Sequence, residues 1–176
     1  MTIGFDIDNT ITNTKEKIGE YFKLYNKNDN YHNYYDLPKE QFNDFVSTYI
    51  DHIQSEVTLK KGVKECFDYL TNHHHEIVLI TFRNNSYSPN IKEITKNYFL
   101  NNNLKVRKIV FDSLNKGSDA KRMGVSLFVD DLESNLDSCV KESIKVIKFN
   151  EVNEDTKYPM VSNWDELLNL LKQEGF

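Results

Sequence analysis

The sequence predicts an α/β protein: a parallel sheet covered by helices on both faces, with a small helical unit inserted after the first strand. Three observations predict it. Short apolar runs alternate with helical patterns along most of the chain. The rhythm breaks only over residues 13–60, where two amphipathic helices follow one another with no strand between them. Finally, carboxylates, a threonine and a lysine fall at or near the ends of the strand candidates, and open parallel sheets bind ligands beyond the carboxyl ends of their strands.

The first strand is expected over residues 2–7, followed at once by Asp6-Ile7-Asp8-Asn9-Thr10. A period of two puts Ile3, Phe5 and Ile7 on one side and Gly4, Asp6 and Asp8 on the other. Residues 13–60 carry one stripe of Ile18, Tyr21, Phe22 and Tyr25 and another of Phe42, Phe45, Val46, Tyr49, Ile50 and Ile53, joined by a polar link over 26–38. Further strands are expected at 77–81, 107–111, 126–130 and 144–149. Helices are expected at 61–73, 90–100, 117–123, 132–141 and 164–173, the last opened by Asn163 as N-cap with Glu166 three positions on. The expected division is a core of residues 1–12 and 61–176 with a cap of residues 13–60.

Composition narrows the function classes. A net charge of −5 disfavours non-specific attraction to polymeric nucleic acid or an anionic membrane. No apolar stretch approaches the ~20 residues that span a bilayer. A charge as early as Asp6 leaves no secretory apolar segment, and Cys66 and Cys139 read as core thiols, so a cytoplasmic protein is expected. The 21 asparagines, and 19 lysines against three arginines, read as compositional background, which weakens any argument from their abundance. His73-His74-His75 lacks a partner at ligand spacing and reads as a solvated turn.

Two carboxylates two residues apart at a strand end repel unless a cation or proton relieves them, which suits a hard metal ion and a phosphate. Asp6 and Asp8 close the first strand, Thr81 the second, and Asp130-Asp131 the fourth, while Lys116 stands at the entry to the helix leading into that fourth strand. Four carboxylates against one lysine require a divalent cation before a phosphate dianion can approach. Lys121 competes with Lys116, but it lies inside the helix and is expected to face solvent.

Taken together these residues resemble the haloacid dehalogenase-like phosphohydrolases. Asp6-Ile7-Asp8-Asn9-Thr10 is similar to their first motif, Leu79-Ile80-Thr81 to the second, Lys116 to the third, and Phe128-Val129-Asp130-Asp131 to the fourth. The short helical stretch, and Ser162-Asn163-Trp164-Asp165-Glu166 more weakly, are similar to the 5′-nucleotidase and deoxyribonucleotidase branch. The resemblance implies a three-layer Rossmann-like core and a Mg²⁺-dependent phosphomonoester hydrolase working through an aspartyl-phosphate. Asp6 is then the nucleophile and Asp8 the acid and base, the latter also reaching the metal through its backbone carbonyl. Asp6 and Asp130 hold Mg²⁺ with Asp131 beside them, and Thr81, the Phe82 amide and Lys116 hold the phosphoryl group.

The expected substrate is a small phosphate ester, foremost a 5′- or 3′-(deoxy)nucleoside monophosphate. Tyr31, Tyr34 and Tyr35 are candidates to stack on a base, or else a fold-stabilising tyrosine cluster, and Arg83 is a candidate to contact phosphate or nucleoside, or else part of a plain surface loop. Two alternatives stay open: a phosphatase of a sugar phosphate or other metabolite, and a non-catalytic or regulatory phosphoacceptor module. Oligomeric state is also open, a homodimer included.

Overall fold

A computed structural model describes residues 1–27, 31–152 and 154–176, so residues 28–30 of the polar link lie outside the described residues. Six parallel strands form one sheet in the order β3-β2-β1-β4-β5-β6. They are β1 (Thr2–Phe5), β2 (Glu76–Ile80), β3 (Lys108–Val110), β4 (Val125–Asp130), β5 (Lys145–Phe149) and β6 (Met160–Val161). Among the described residues there are seven α-helices, α1 (Thr14–Tyr25), α2 (Lys39–Glu56), α3 (Val63–Asn72), α4 (Ile91–Asn101), α5 (Lys116–Arg122), α6 (Glu133–Lys141) and α7 (Trp164–Gln173), and a short 3-10 turn over Tyr34–Asp36.

The alternation read in the first strand separates two cores. Ile3, Phe5 and Ile7 join Leu79, Leu127 and Val129 under residues of α3, α4 and α7. On the other face Val78, Ile80 and Phe128 pack against Ala120 of α5 and Leu136 and Cys139 of α6. Gly4 is required there, because a Cβ on it would stand 2.5 Å from the Phe128 ring. Both cysteines are free and fully buried, and burial pushes each thiol up to about 12, which makes them inert core groups.

Strand 1 ends at Phe5 rather than residue 7. The Asp6 amide still donates to Val129 O at 2.9 Å, after which the chain turns and the Ile11 and Thr12 amides donate back to Ile7 O. Asn9 takes a positive φ of 64° in this turn, a conformation asparagine tolerates, and its side chain accepts from the Lys15 amide.

Helices α1 and α2 build a small apolar cluster of their own around Phe22, Leu37, Phe45 and Ile53. Two adjacent segments tie them to the sheet. The Asn13 amide donates to Thr58 O at 2.9 Å and the Lys60 amide to Ile11 O at 2.8 Å.

Candidate active site

The strand order reverses between β1 and β4: the chain runs outward from β1 through β2 to β3, then returns to β4 on the other side of β1. Loops leaving two such strands diverge and open a crevice at their carboxyl ends. Asp6 and Asp8 stand there from β1, and Asp130 and Asp131 from β4.

Lys116 links the two strands. Its ammonium donates to Asp6 Oδ1 and, at 2.8 Å, to Asp130 Oδ2, and all three side chains are almost wholly buried. The lysine is the first residue of α5, whose N-cap Asn115 accepts from the Ser118 amide at 3.0 Å. α5 can approach the sheet this closely because Gly117 faces α6 without a side chain; a Cβ there would lie 2.0 Å from Ser138 O. Lys121 instead points outward and pairs with Glu142.

Asp130 is the most fully satisfied carboxylate. Besides Lys116 it accepts from the Leu132 amide at 2.8 Å and from the Asn135 amide group at 3.0 and 3.1 Å. Asp6, Asp130 and Asp131 each offer an oxygen within 4.8 Å of the others, the group among the described residues suited to holding an ion. The Asp8 carboxylate is not in that group.

Electrostatics follow from this crowding. Burial raises Asp6 well above an ordinary aspartate; Lys116 opposes the rise, and Asp130, Asp8 and Asp131 reinforce it. Burial, then Asp130, pushes Asp131 up to about 7. Burial also pushes Asp8 upward, but the Arg83 guanidinium outweighs it and holds that carboxyl below its ordinary range. Burial disfavours the charge on Lys116, yet Asp6 and Asp130 overcome it and keep the ammonium charged. Burial and like charge thus hold Asp6 and Asp131 toward their protonated forms, while Arg83 keeps Asp8 ionised and apart.

Arg83 requires a correction. As a substrate-contact candidate it should present its guanidinium to the cleft, but it is only 4% exposed and three of its five N–H donors are engaged within the protein. Nε donates to Asp8 Oδ2 at 3.0 Å, Nη2 to Asp8 Oδ1 at 2.7 Å, and Nη1 to Thr95 Oγ1 on α4 at 3.0 Å. A bidentate fork of this kind fixes both position and charge. The Thr14 hydroxyl adds a bond to Asp8 Oδ1 at 2.7 Å. The charge balance read from sequence omitted this arginine, so the four carboxylates face two cations.

Thr81 is buried at the end of β2, held by its amide on Val110 O and by the Ser113 amide on its carbonyl, and its hydroxyl accepts from the Arg83 amide. Phe82 beside it is about half exposed.

Of the two readings given for the tyrosines, base stacking or a fold-stabilising cluster, their contacts favour the cluster. Tyr31 and Tyr34 pack against the cluster between α1 and α2, and Tyr34 lies against Phe42 and Phe45. Tyr35 is exposed, with its ring centroid 3.9 Å from that of Tyr34. The Tyr31 and Tyr34 rings serve the helical unit's own packing.

Two residues to which the sequence reading gave no part in the site support it. Asn135 lies five positions after Asp130, and a polar residue on the first turn of the following helix was the available signal. Trp164 donates its indole N–H to Thr10 O at 3.0 Å and buttresses the turn after β1 from α7, across 154 residues. No local pattern reveals a bond of that span.

No family model matches the chain. Among curated proteins it is 26% identical over 189 aligned positions to a nucleotidase of Clostridium acetobutylicum, covering 97% of this chain and 93% of that protein. Solved structures resemble it throughout. A hydrolase of this superfamily from Deinococcus radiodurans, with bound phosphate and sodium, superposes with a TM-score of 0.74 at 11% identity, covering 98% of this chain and 96% of that one. A Thermotoga maritima protein assigned as a β-phosphoglucomutase gives 0.72 at 15% identity with 98% of both chains covered. A haloacid dehalogenase-like family protein of Streptococcus pneumoniae gives 0.68 at 13% identity with 97% of both covered. These likenesses identify the chain's fold as that of the haloacid dehalogenase-like hydrolases.

Proposed function

We propose that the chain is a divalent-metal-dependent phosphomonoesterase that works through an aspartyl-phosphate on Asp6, with a nucleoside monophosphate as substrate and the α1–α2 unit as its cap. The observation that carries this reading is the buried bridge from Lys116 to Asp6 and Asp130, with Asp131 within ligand distance and Asp8 positioned separately by Arg83.

The donor set fits a hard divalent cation: three carboxylates and no nitrogen or sulfur, and the burial and crowding that raise Asp6 and Asp131 are what a cation there would relieve. Asp6, Asp130 and Asp131 would hold Mg²⁺, with the Asp8 backbone carbonyl beside them, and the ion would neutralise the cluster and polarise a phosphoryl oxygen. Asp6 Oδ attacks phosphorus while the ester P–O bond breaks, and Asp8 gives its proton to the departing alkoxide. Asp8 next takes a proton from water, whose oxygen attacks phosphorus and returns Asp6 as a carboxylate. Lys116, the Thr81 hydroxyl and the Phe82 amide bind the phosphoryl oxygens. Because Arg83 keeps Asp8 ionised in the free site, the first proton arrives with the substrate. A monoanionic phosphate ester carries it, since phosphate loses its second proton near a pKa of about 6.

A sugar phosphate is the second reading. It is favoured by the engagement of Tyr31 and Tyr34 in packing, which takes up two of the three rings offered as stacking partners for a base. A phosphate-release screen over nucleotides and sugar phosphates with Mg²⁺ tests both. Release is expected to stop in excess EDTA and in Asp6→Asn. A nucleotide preference below about tenfold, or about 1.4 kcal/mol in transition-state stabilisation, contradicts the nucleotide reading. Release by Asp6→Asn contradicts the mechanism.

A further inference from the structure

A cavity of about 390 Å³ adjoins the acidic cluster on its β5 side and is lined in part by Asn9, Asn13, Lys60, Asp131, Asn150 and Glu151. It shares Asp131 with the group suited to an ion, so a phosphate ester seated on Asp6 has this space within reach of its leaving group. Lys60 is a buried cation that the chemistry above does not use. Its side chain is 6% exposed, and its ammonium donates to Asn13 Oδ1 at 3.1 Å and to Glu151 Oε2 at 2.6 Å. An ammonium has three donors, so one remains after these two bonds. The Phe149 ring lies under it, 5.6 Å from the nitrogen, and is only 1% exposed, so it offers no open face for a base to stack on.

We infer that this cavity is the subsite for a hydroxyl-bearing ring on the substrate's leaving group, with Lys60 and Glu151 as its specificity-determining pair. The inference rests on the phosphomonoesterase reading and deepens it. A hydroxyl is both donor and acceptor, and the lining supplies both: Lys60 donates to its oxygen, the Glu151 carboxylate accepts its proton, and the amides of Asn9, Asn13 and Asn150 can do either. The Glu151 side chain is 60% exposed, so it can shift to admit a ligand while Lys60 stays anchored on Asn13. A ribose or another sugar ring carries the required chemistry; a lipid or plain aromatic leaving group does not.

Binding in the Asp6→Asn background with Mg²⁺, measured by calorimetry, tests this without turnover. Ribose 5-phosphate is expected to weaken about tenfold on adding Lys60→Met, as loss of one charged hydrogen bond implies, while inorganic phosphate keeps its affinity within about twofold. Glu151→Gln, at an exposed position and still able to accept from Lys60, is expected to shift the same contrast in the same direction. A nucleoside 5′-monophosphate binding about tenfold tighter than ribose 5-phosphate marks a nucleotide as the source of the ring; equal affinity marks a sugar phosphate. Equal weakening of ribose 5-phosphate and inorganic phosphate, or no change in either with both variants, overturns the subsite. Failure of the wild-type protein to release phosphate from any ester counts against the hydrolase reading alone, because the binding contrast is read separately.

Discussion

Arg83 sets the protonation of Asp8, and two consequences follow at the scale of single residues. Its fork holds the Asp8 carboxyl below the ordinary aspartate range and in place, against burial that pushes the other way. Arg83→Met should therefore raise the pKa of Asp8 and loosen its position. The expected result is a fall in kcat of at least about 100-fold, the contribution typical of a positioned acid–base group. The pH–rate profile of the residual activity should move to higher pH. An unchanged profile would show that the arginine does not act through Asp8. Stability carries the same sign: a depressed carboxyl contributes stability above its unfolded pKa and loses it as pH falls through the lower folded value. The gap between wild type and Arg83→Met in thermal midpoint should thus shrink on acidification below pH 3.8, the ordinary aspartate value. At this scale the sequence was legible where a motif is local. Asp6, Asp8 and the Asp130-Asp131 pair are each read from a few consecutive residues, whereas the Arg83–Asp8 pair spans 75 positions and has no local pattern.

Among the elements, α5 shows how a short helix delivers one side chain. Seven residues contribute little stability of their own, so packing against α6 and the Asn115 cap hold it. Gly117→Ala should force α5 away from the Ser138 carbonyl and cost about 1–3 kcal/mol, as overpacking does. It should also displace Lys116, so phosphate release is expected to fall together with the thermal midpoint. Asn115→Ala should cost about 1 kcal/mol in denaturant titration with less effect on catalysis, since it removes a cap and no close contact. Element positions were mostly legible, because helical and strand periods are strong over runs such as 61–73 and 126–130. The exception is β6, two residues after Pro159, too short to carry a period; its place beside β5 comes from pairing across the sheet. The tyrosines of the polar link could be read two ways for a related reason. An amphipathic stripe shows that a ring is buried, but tertiary packing decides against what, and here it is the α1–α2 cluster.

The whole molecule gathers these groups through its strand order, which brings β1 and β4 side by side although 119 positions separate Asp6 from Val125. The same convergence makes stability depend on pH and metal together. Asp131 is raised to about 7 from an ordinary 3.8, so between those values the unfolded chain has released a proton that the folded chain keeps. Metal-free protein should lose stability as pH rises through that window, and Asp6, raised for the same reason, adds to the loss. A cation on the cluster removes the penalty, so Mg²⁺ should raise the thermal midpoint more at pH 8 than at pH 5; an equal shift at both would contradict the assignment of the ion to these carboxylates. The most direct test is acid-quenched turnover with a radiolabelled phosphate ester and Mg²⁺, followed by peptide mapping. Label is expected on the N-terminal peptide that contains Asp6 and absent from Asp6→Asn. Steady phosphate release with no labelled peptide, or label elsewhere in the chain, would show that Asp6 is not the group that attacks phosphorus.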